Sequence, residues 1–351
     1  MRSKPDIADE AAGAAAGAVA AGGIAAGGGA PGEEGSPLGA WLARIDWRNY
    51  VVYLFFALVV AFFAITIGDR GFLSVTNFFN IARNTAQLMV IAVALTFVIS
   101  AGELDLSVGS TAALSALMAG LAMAAGWGPL GGLAAGLVTG LAVGLVNSFF
   151  VVLIGIPSFL VTLGMLQFVN GLAMRVTYTN PVPIADEGFT TFFGKGWFLG
   201  LPSLLIWSVL AVAVGHIVLR YTPFGRQVLA TGGNRIAAAY SGIRTGRVKF
   251  MCFLLSGAAA ALAGLLYSGM MSTARYNFGQ GDELDAIAAV ILGGTSLFGG
   301  RGTVIGTFVG ALMIGTINNG LIIMGLDVSD QYMVAGAIII LAVAFGKRPV
   351  R

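Results

Sequence analysis

Apolar stretches long enough to cross a bilayer recur from residue 50 almost to the end of this chain, separated by short polar breaks. That recurrence leaves few folds open, because a helical span needs about 20 mostly apolar residues. Ten stretches qualify, approximately 50–67, 81–101, 107–125, 129–153, 158–177, 200–219, 249–271, 284–298, 303–325 and 331–345. The eighth is short enough to be re-entrant or broken. Backbone polar groups in lipid must be satisfied within the chain, so such segments form a helical bundle. The expected fold is an all-α polytopic membrane protein of about ten transmembrane helices, its membrane domain covering 46–351. Composition points the same way, with 57% apolar and only 10% charged residues. Soluble domains carry about 25% charge, so this chain cannot solvate an ordinary exterior.

The first 45 residues differ in kind, being an Ala/Gly-rich tract behind Lys4, Asp6, Asp9 and Glu10. Ala and Gly barely favour insertion, and the acids argue against a signal peptide, so a disordered cytoplasmic tail is expected. Basic residues test the span count, since each span added or dropped reverses the side of everything downstream. With ten spans, fourteen of the nineteen Lys and Arg fall on one side, including Arg44, Arg48, the cluster in loop 220–249, Lys347 and Arg348. The positive-inside rule makes that side the cytoplasm and places both termini there. The opposite loops hold Asp186, Glu187, Asp282, Glu283, Asp327 and Asp330.

Chemistry-bearing residues are few. Cys252 is the single cysteine and His216 the single histidine, so neither an intramolecular disulfide nor a histidine-rich metal site is available. No catalytic residue is expected, because no nucleophile with a placed base is legible. The chain has 52 glycines, and those that thread the spans read first as close helix packing. The segment 100–110, SAGELDLSVGS, sets Glu103 and Asp105 between two apolar stretches. A carboxylate at the bilayer centre costs about 3 kcal/mol even on a mild scale, so these groups belong in a break or cavity. Asp105, followed by Leu106 and Ser107, reads as an N-cap for the third span through its carboxylate, and direct substrate contact is compatible with that role. Among uncharged polar residues inside spans, Asn147, Thr162, Gln167, Asn170, Asn318, Asn319 and Gln331 are either interhelical hydrogen-bond partners or pathway residues for a hydroxyl-rich solute. Glu103, Asp105, Ser107, Asn147, Asn170, Asn318, Asn319 and Gln331 form the candidate pathway set.

Loop 220–249 contains a short helix with both ends marked, Asn234 as N-cap and Gly242 as the left-handed terminator. Gly233, Asn234, Ile236, Ala238, Tyr240 and Gly242 form a candidate docking surface, against the alternative of a solvated connector whose basic residues face lipid headgroups.

Five motifs in order then carry a resemblance: GELDLSVGS (102–110), IPSFLVTLGML (156–166), PFGRQVLATGGNRIAAAYSGI (223–243), LDAIAAVILGGTSLFGGRGTVIGTFVGAL (284–312) and INNGLIIMGL (317–326). Over about 73–345 the chain resembles the permease subunits of ribose- and xylose-type sugar ABC importers, in the branched-chain amino acid/ribose permease superfamily. That resemblance implies a monosaccharide or polyol as cargo and a bacterial inner-membrane location. It implies as partners a separate ATP-hydrolysing subunit, a solute-binding protein and a second permease copy, and region 233–242 as the coupling helix. Such permeases usually have an acid near Ile236 and an arginine near Ala239, so this helix is more apolar than most. No stretch fits G-x-x-x-x-G-K-[ST], and the glycine-rich run 293–302 lacks the lysine. No cofactor is therefore expected in this chain, ATP being bound by the partner, and nothing points to nucleic acid. The rival readings are a branched-chain amino acid permease, a secondary transporter, which would need mid-membrane ion-binding groups and an internal repeat, and an intramembrane enzyme.

Overall fold

A computed structural model describes residues 47–327 and, after them, 329–331, 333, 334, 336, 337 and 340. The Ala/Gly-rich tract and most of the tenth stretch lie outside the described residues. The helices are α1 (Trp47–Ile67), α2 (Val75–Ser100), α3 (Val108–Ala122), α4 (Gly128–Ser148), α5 (Ser158–Thr177) and the single-turn α6 (Glu187–Thr190). They continue with α7 (Ser203–Tyr221), α8 (Pro223–Gly233), α9 (Arg235–Tyr240), α10 (Thr245–Met271), α11 (Asp282–Leu292) and α12 (Val304–Met324).

Among the described residues, seven helical segments are long and apolar enough to cross a membrane, and one of them, Val108–Ile154, is 47 residues long. That segment is two helices. Gly126 (φ 85°) and Gly128 (φ 69°) take left-handed backbone that glycine alone adopts readily, and α4 folds back along α3. The second and seventh stretches begin earlier than hydropathy suggests, at Val75, where the Ser74 side chain caps the helix, and at Thr245, whose first turns carry Arg247 and Lys249 ahead of the apolar centre. The eighth stretch is corrected more substantially. Its helix, α11, ends at Leu292, and 293–303 is non-helical, since consecutive glycines at Gly293 and Gly294 and again at Gly299 and Gly300 interrupt the helix.

Packing is centred on α2 and α10. Buried residues make up 83% of the most apolar stretch of α2 but only 17% of that of α5. Against α10 pack α2, α3 and α4, while α11 and α12 close the other side of α2. Close approach between α4 and α10 depends on glycine: a Cβ on Gly140 would lie 2.2 Å from the Gly257 carbonyl oxygen, and one on Gly144 would lie 2.6 Å from that of Phe253. Small residues let backbones pack this tightly where lipid supplies no hydrophobic drive between helices. Outward-facing Leu54, Leu58, Leu130, Val138, Leu160 and Phe168 are exposed apolar side chains of the kind that face hydrocarbon.

Contacts also sort the loops. A two-residue antiparallel pair, Val182–Pro183 (β1) with Thr273–Ala274 (β4), ties the loop after α5 to the loop after α10. The loop after α5 also carries a small hairpin of Trp197–Phe198 (β2) and Leu201–Pro202 (β3). At the other end of the bundle, Gly300 N–H donates to the Ser100 carbonyl at 2.9 Å, and a Cβ on Gly232 would sit 1.9 Å from that same oxygen. The loops after α2, α8 and α11 therefore meet there.

Candidate functional site

The segment between α2 and α3 is the most elaborated polar site. Helix α2 ends in a tight turn, with Gly102 at φ 83°, its N–H on the Ile99 carbonyl and Glu103 N–H on that of Val98. Residues 103–107 then run without helical bonding, and their polar groups are taken up by three other helices. From α5, Ser158 Oγ accepts from Leu104 N–H at 3.1 Å, and Thr162 Oγ1 donates to the Leu104 carbonyl at 3.4 Å. From α10, Lys249 pairs with Glu103, and Ser256 Oγ donates to Asp105 Oδ2 at 2.7 Å. From α4, Asn147 Nδ2 donates to Ser107 Oγ at 2.9 Å.

Asp105 is only 2% exposed and accepts three hydrogen bonds, from Ser256 and from both the backbone N–H and the hydroxyl of Ser107. It does not cap α3 as expected. The N-cap position is Ser107, with helical backbone angles and no side-chain cap bond, so the carboxylate instead closes a turn two residues long. A buried charge is tolerated when it is hydrogen-bonded on this scale and lies beside the positive end of a helix. This cluster bolts the break to the bundle, and four expected residues, Glu103, Asp105, Ser107 and Asn147, belong to it. Lys249, Ser158 and Ser256 were missed. For Lys249 the sequence carries a signal: it is the last cation before an apolar stretch and needs a counter-charge at similar depth.

The other expected pathway residues are elsewhere. Asn319 Oδ1 accepts from Asn77 Nδ2 at 3.0 Å, so it tethers α12 to the first turn of α2, and half-buried Asn318 adjoins it. Gln331 is half-buried just after α12. Asn170 lies half-buried on α5, whose uncovered face also carries Gln167, Arg175 and two glycines, Gly164 and Gly171, with open space around them.

The loop between α7 and α10 holds two helices where sequence signals marked one. Thr222 Oγ1 accepts from Gly225 N–H at 3.3 Å and Pro223 begins α8, a Thr-Pro start signal of its own. Helix α8 is anchored through buried Val228 and through Phe224, which stacks on Phe97 of α2. Helix α9 has the expected caps: Asn234 Oδ1 accepts from Ala237 N–H at 3.0 Å, and Gly242 sits at φ 83°. Ala238 is buried beneath, whereas Ile236 and Tyr240 are 70% and 90% exposed. Gly233 joins the two helices against Gly300. Among the described residues no group of three His, Cys, Asp or Glu side chains is placed to hold a metal ion.

Comparison with known proteins finds relatives over most of the chain. The chain is 41% identical over 297 residues to the ribose import permease protein of Bacillus subtilis (strain 168), covering 84% of this chain and 92% of that protein. The ribose import permease protein of Escherichia coli (strain K12) is 37% identical, with 82% and 90% covered. The L-arabinose ABC transporter permease protein of Azospirillum brasilense is 36% identical, with 88% and 89% covered. No solved structure matches. Residues 77–343 match the family model described as the permease component of branched-chain amino acid transport systems, and the chain belongs to that family.

Proposed function

We propose that this chain is the membrane-spanning permease of an ATP-driven importer that carries a monosaccharide across the bacterial inner membrane. The observation that carries the reading is α9, a doubly capped helix that holds Ile236 and Tyr240 out on one face with no core to bury them. An ATPase subunit would bury that pair and bind ATP, so this chain would make and break no covalent bonds. The partner's different affinity for two states of the permease would drive alternating access. A binding protein would deliver the sugar at the opposite end, where β1 and β4 pair. Relatives named for ribose and L-arabinose support a sugar over a branched-chain amino acid, although the family's description keeps the amino acid as the second reading.

Ten membrane passes with both termini inside accommodate the loop contacts: α11, too short to span alone, would share its pass with the segment 275–281 that leads into it. A second copy would cover α5. Gln167, Asn170 and Arg175 on a helix face with open glycines are poorly matched to lipid, and they suit a path between two copies, where uncharged amides exchange hydrogen bonds with sugar hydroxyls.

The test is reconstitution with the ATPase subunit and binding protein. Ile236→Ser with Tyr240→Ser should leave the permease folded while copurified ATPase and ATP-driven uptake of labelled monosaccharide fall together. Unchanged retention and uptake would make the loop a plain connector. Uptake of leucine but not of any monosaccharide would select the second reading.

A further inference from the structure

The turn between α11 and α12 is shaped more specifically than a connector requires. Residues 296–301 form a closed hairpin in which Ser296 N–H donates to the Arg301 carbonyl and Gly299 N–H to the Ser296 carbonyl, both at 3.0 Å. Gly299 and Gly300 both take positive φ, 80° and 77°, which permits the reversal. Thr295 Oγ1 accepts from Thr303 N–H at 3.2 Å and clamps the base of the loop. The loop is thus built to hold a shape, and it leaves two side chains exposed: Phe298 in the turn, 65% exposed, and Arg301 where the hairpin closes.

Its neighbours say what that shape is for. A Cβ on Gly300 would lie 2.6 Å from Gly233 Cα, and one on Gly299 would lie 2.8 Å from the Gly232 carbonyl oxygen and 3.0 Å from Gly102. Gly233 immediately precedes the N-cap of α9. The hairpin therefore lies backbone to backbone against the joint from which the exposed docking helix springs. On its other side it holds Ser100, where α2 ends and the break begins, and a Cβ on Gly302 would meet Ser100 Oγ at 2.0 Å.

We infer that the hairpin 296–301 is a second contact for the ATPase subunit, Phe298 entering an apolar pocket of that partner and Arg301 meeting an acidic group on it. This rests on the docking reading of α9, and the surface is continuous with that helix. The basic character of this end, with Arg235, Arg244 and Arg247 in the adjoining loop, calls for an acidic partner face. Phenylalanine and arginine are both among the side chains enriched at protein interfaces relative to the rest of the surface. Lipid headgroups would satisfy Arg301 but would leave the ordered apex and its abutment on Gly233 without purpose. The consequence is mechanical: a partner gripping both α9 and the hairpin displaces the ends of α2 and α11 together, through glycine contacts that leave no slack.

The experiment uses the whole reconstituted assembly. Phe298→Ser with Arg301→Ser, both at exposed sites, should leave the permease's detergent-extracted yield and elution unchanged while ATPase retention falls about tenfold, the loss of one good anchor. A photo-crosslinking residue at position 298 should trap the ATPase subunit. Unchanged retention and uptake, with crosslinks only to lipid or to the permease itself, overturns the inference. The variant Ile236→Ser with Tyr240→Ser is run in parallel. If it loses the partner and the hairpin variant does not, the hairpin inference alone is wrong; if neither loses it, the docking reading fails as well.

Discussion

Removing the carboxylate of Asp105 would leave the Ser107 N–H and the hydroxyls of Ser107 and Ser256 without their acceptor, all of them buried. Each unmet buried partner costs about 1–3 kcal/mol. Asp105→Ala should therefore lower thermal stability in detergent by several degrees and reduce uptake with it. Asp105→Asn should lose much less, since its carbonyl oxygen still serves Ser107 and its amide can donate to Ser256 Oγ after that hydroxyl turns. Equal melting temperature and uptake for wild type and the Ala variant would remove the cluster from any role in holding the break. The neighbouring Glu103 is served differently, by the ammonium of Lys249, so two acids two residues apart rely on separate means of compensation.

At the scale of elements, glycine does two different things in membrane helices that look alike in sequence. Gly257 lies at the crossing of α10 and α4, where a Cβ would approach the Gly140 carbonyl oxygen to 2.2 Å, while Gly164 and Gly171 on α5 have nothing within 4 Å. Gly257→Ala must push two helices apart, at a cost of about 1–3 kcal/mol, and should lower folded yield. Gly164→Leu with Gly171→Leu should leave the monomer's yield and melting temperature intact but weaken self-association, read by sedimentation of the purified permease. If those leucines unfold the protein instead, the α5 face is internal and a second copy is not what covers it.

Over the whole molecule, the pairing of β1 with β4 and the meeting of Ser100, Gly232 and Gly300 set two loop groups at opposite ends of the bundle. In the proposed orientation the end with Arg235, Arg244 and Arg247 faces the cytoplasm, as the positive-inside rule expects. In intact cells, with Cys252 buried and unreactive, an impermeant thiol reagent should label Glu187→Cys and miss Arg244→Cys. The reverse pattern would invert the topology and place α9 where no ATPase subunit could reach it.

The polytopic helical class, most span positions, the capped helix α9 and the family were legible in the sequence because each rests on a local signal. Hydropathy runs, an Asn and a Gly at helix ends, and ordered motifs need no knowledge of what lies across the bundle. Pairings did not share that advantage. The same amide chemistry suits a pathway or a tether, and only packing decided that Asn319 bonds Asn77 while Asn147 joins the break. Nor does an averaged hydropathy run end α11 at Leu292, because Leu297 and Phe298 prolong it past the glycine pairs 293–294 and 299–300 that interrupt the helix. Partners such as Glu103 and Lys249 stand 146 residues apart, and a contact over that separation exists only once α2 and α10 have packed.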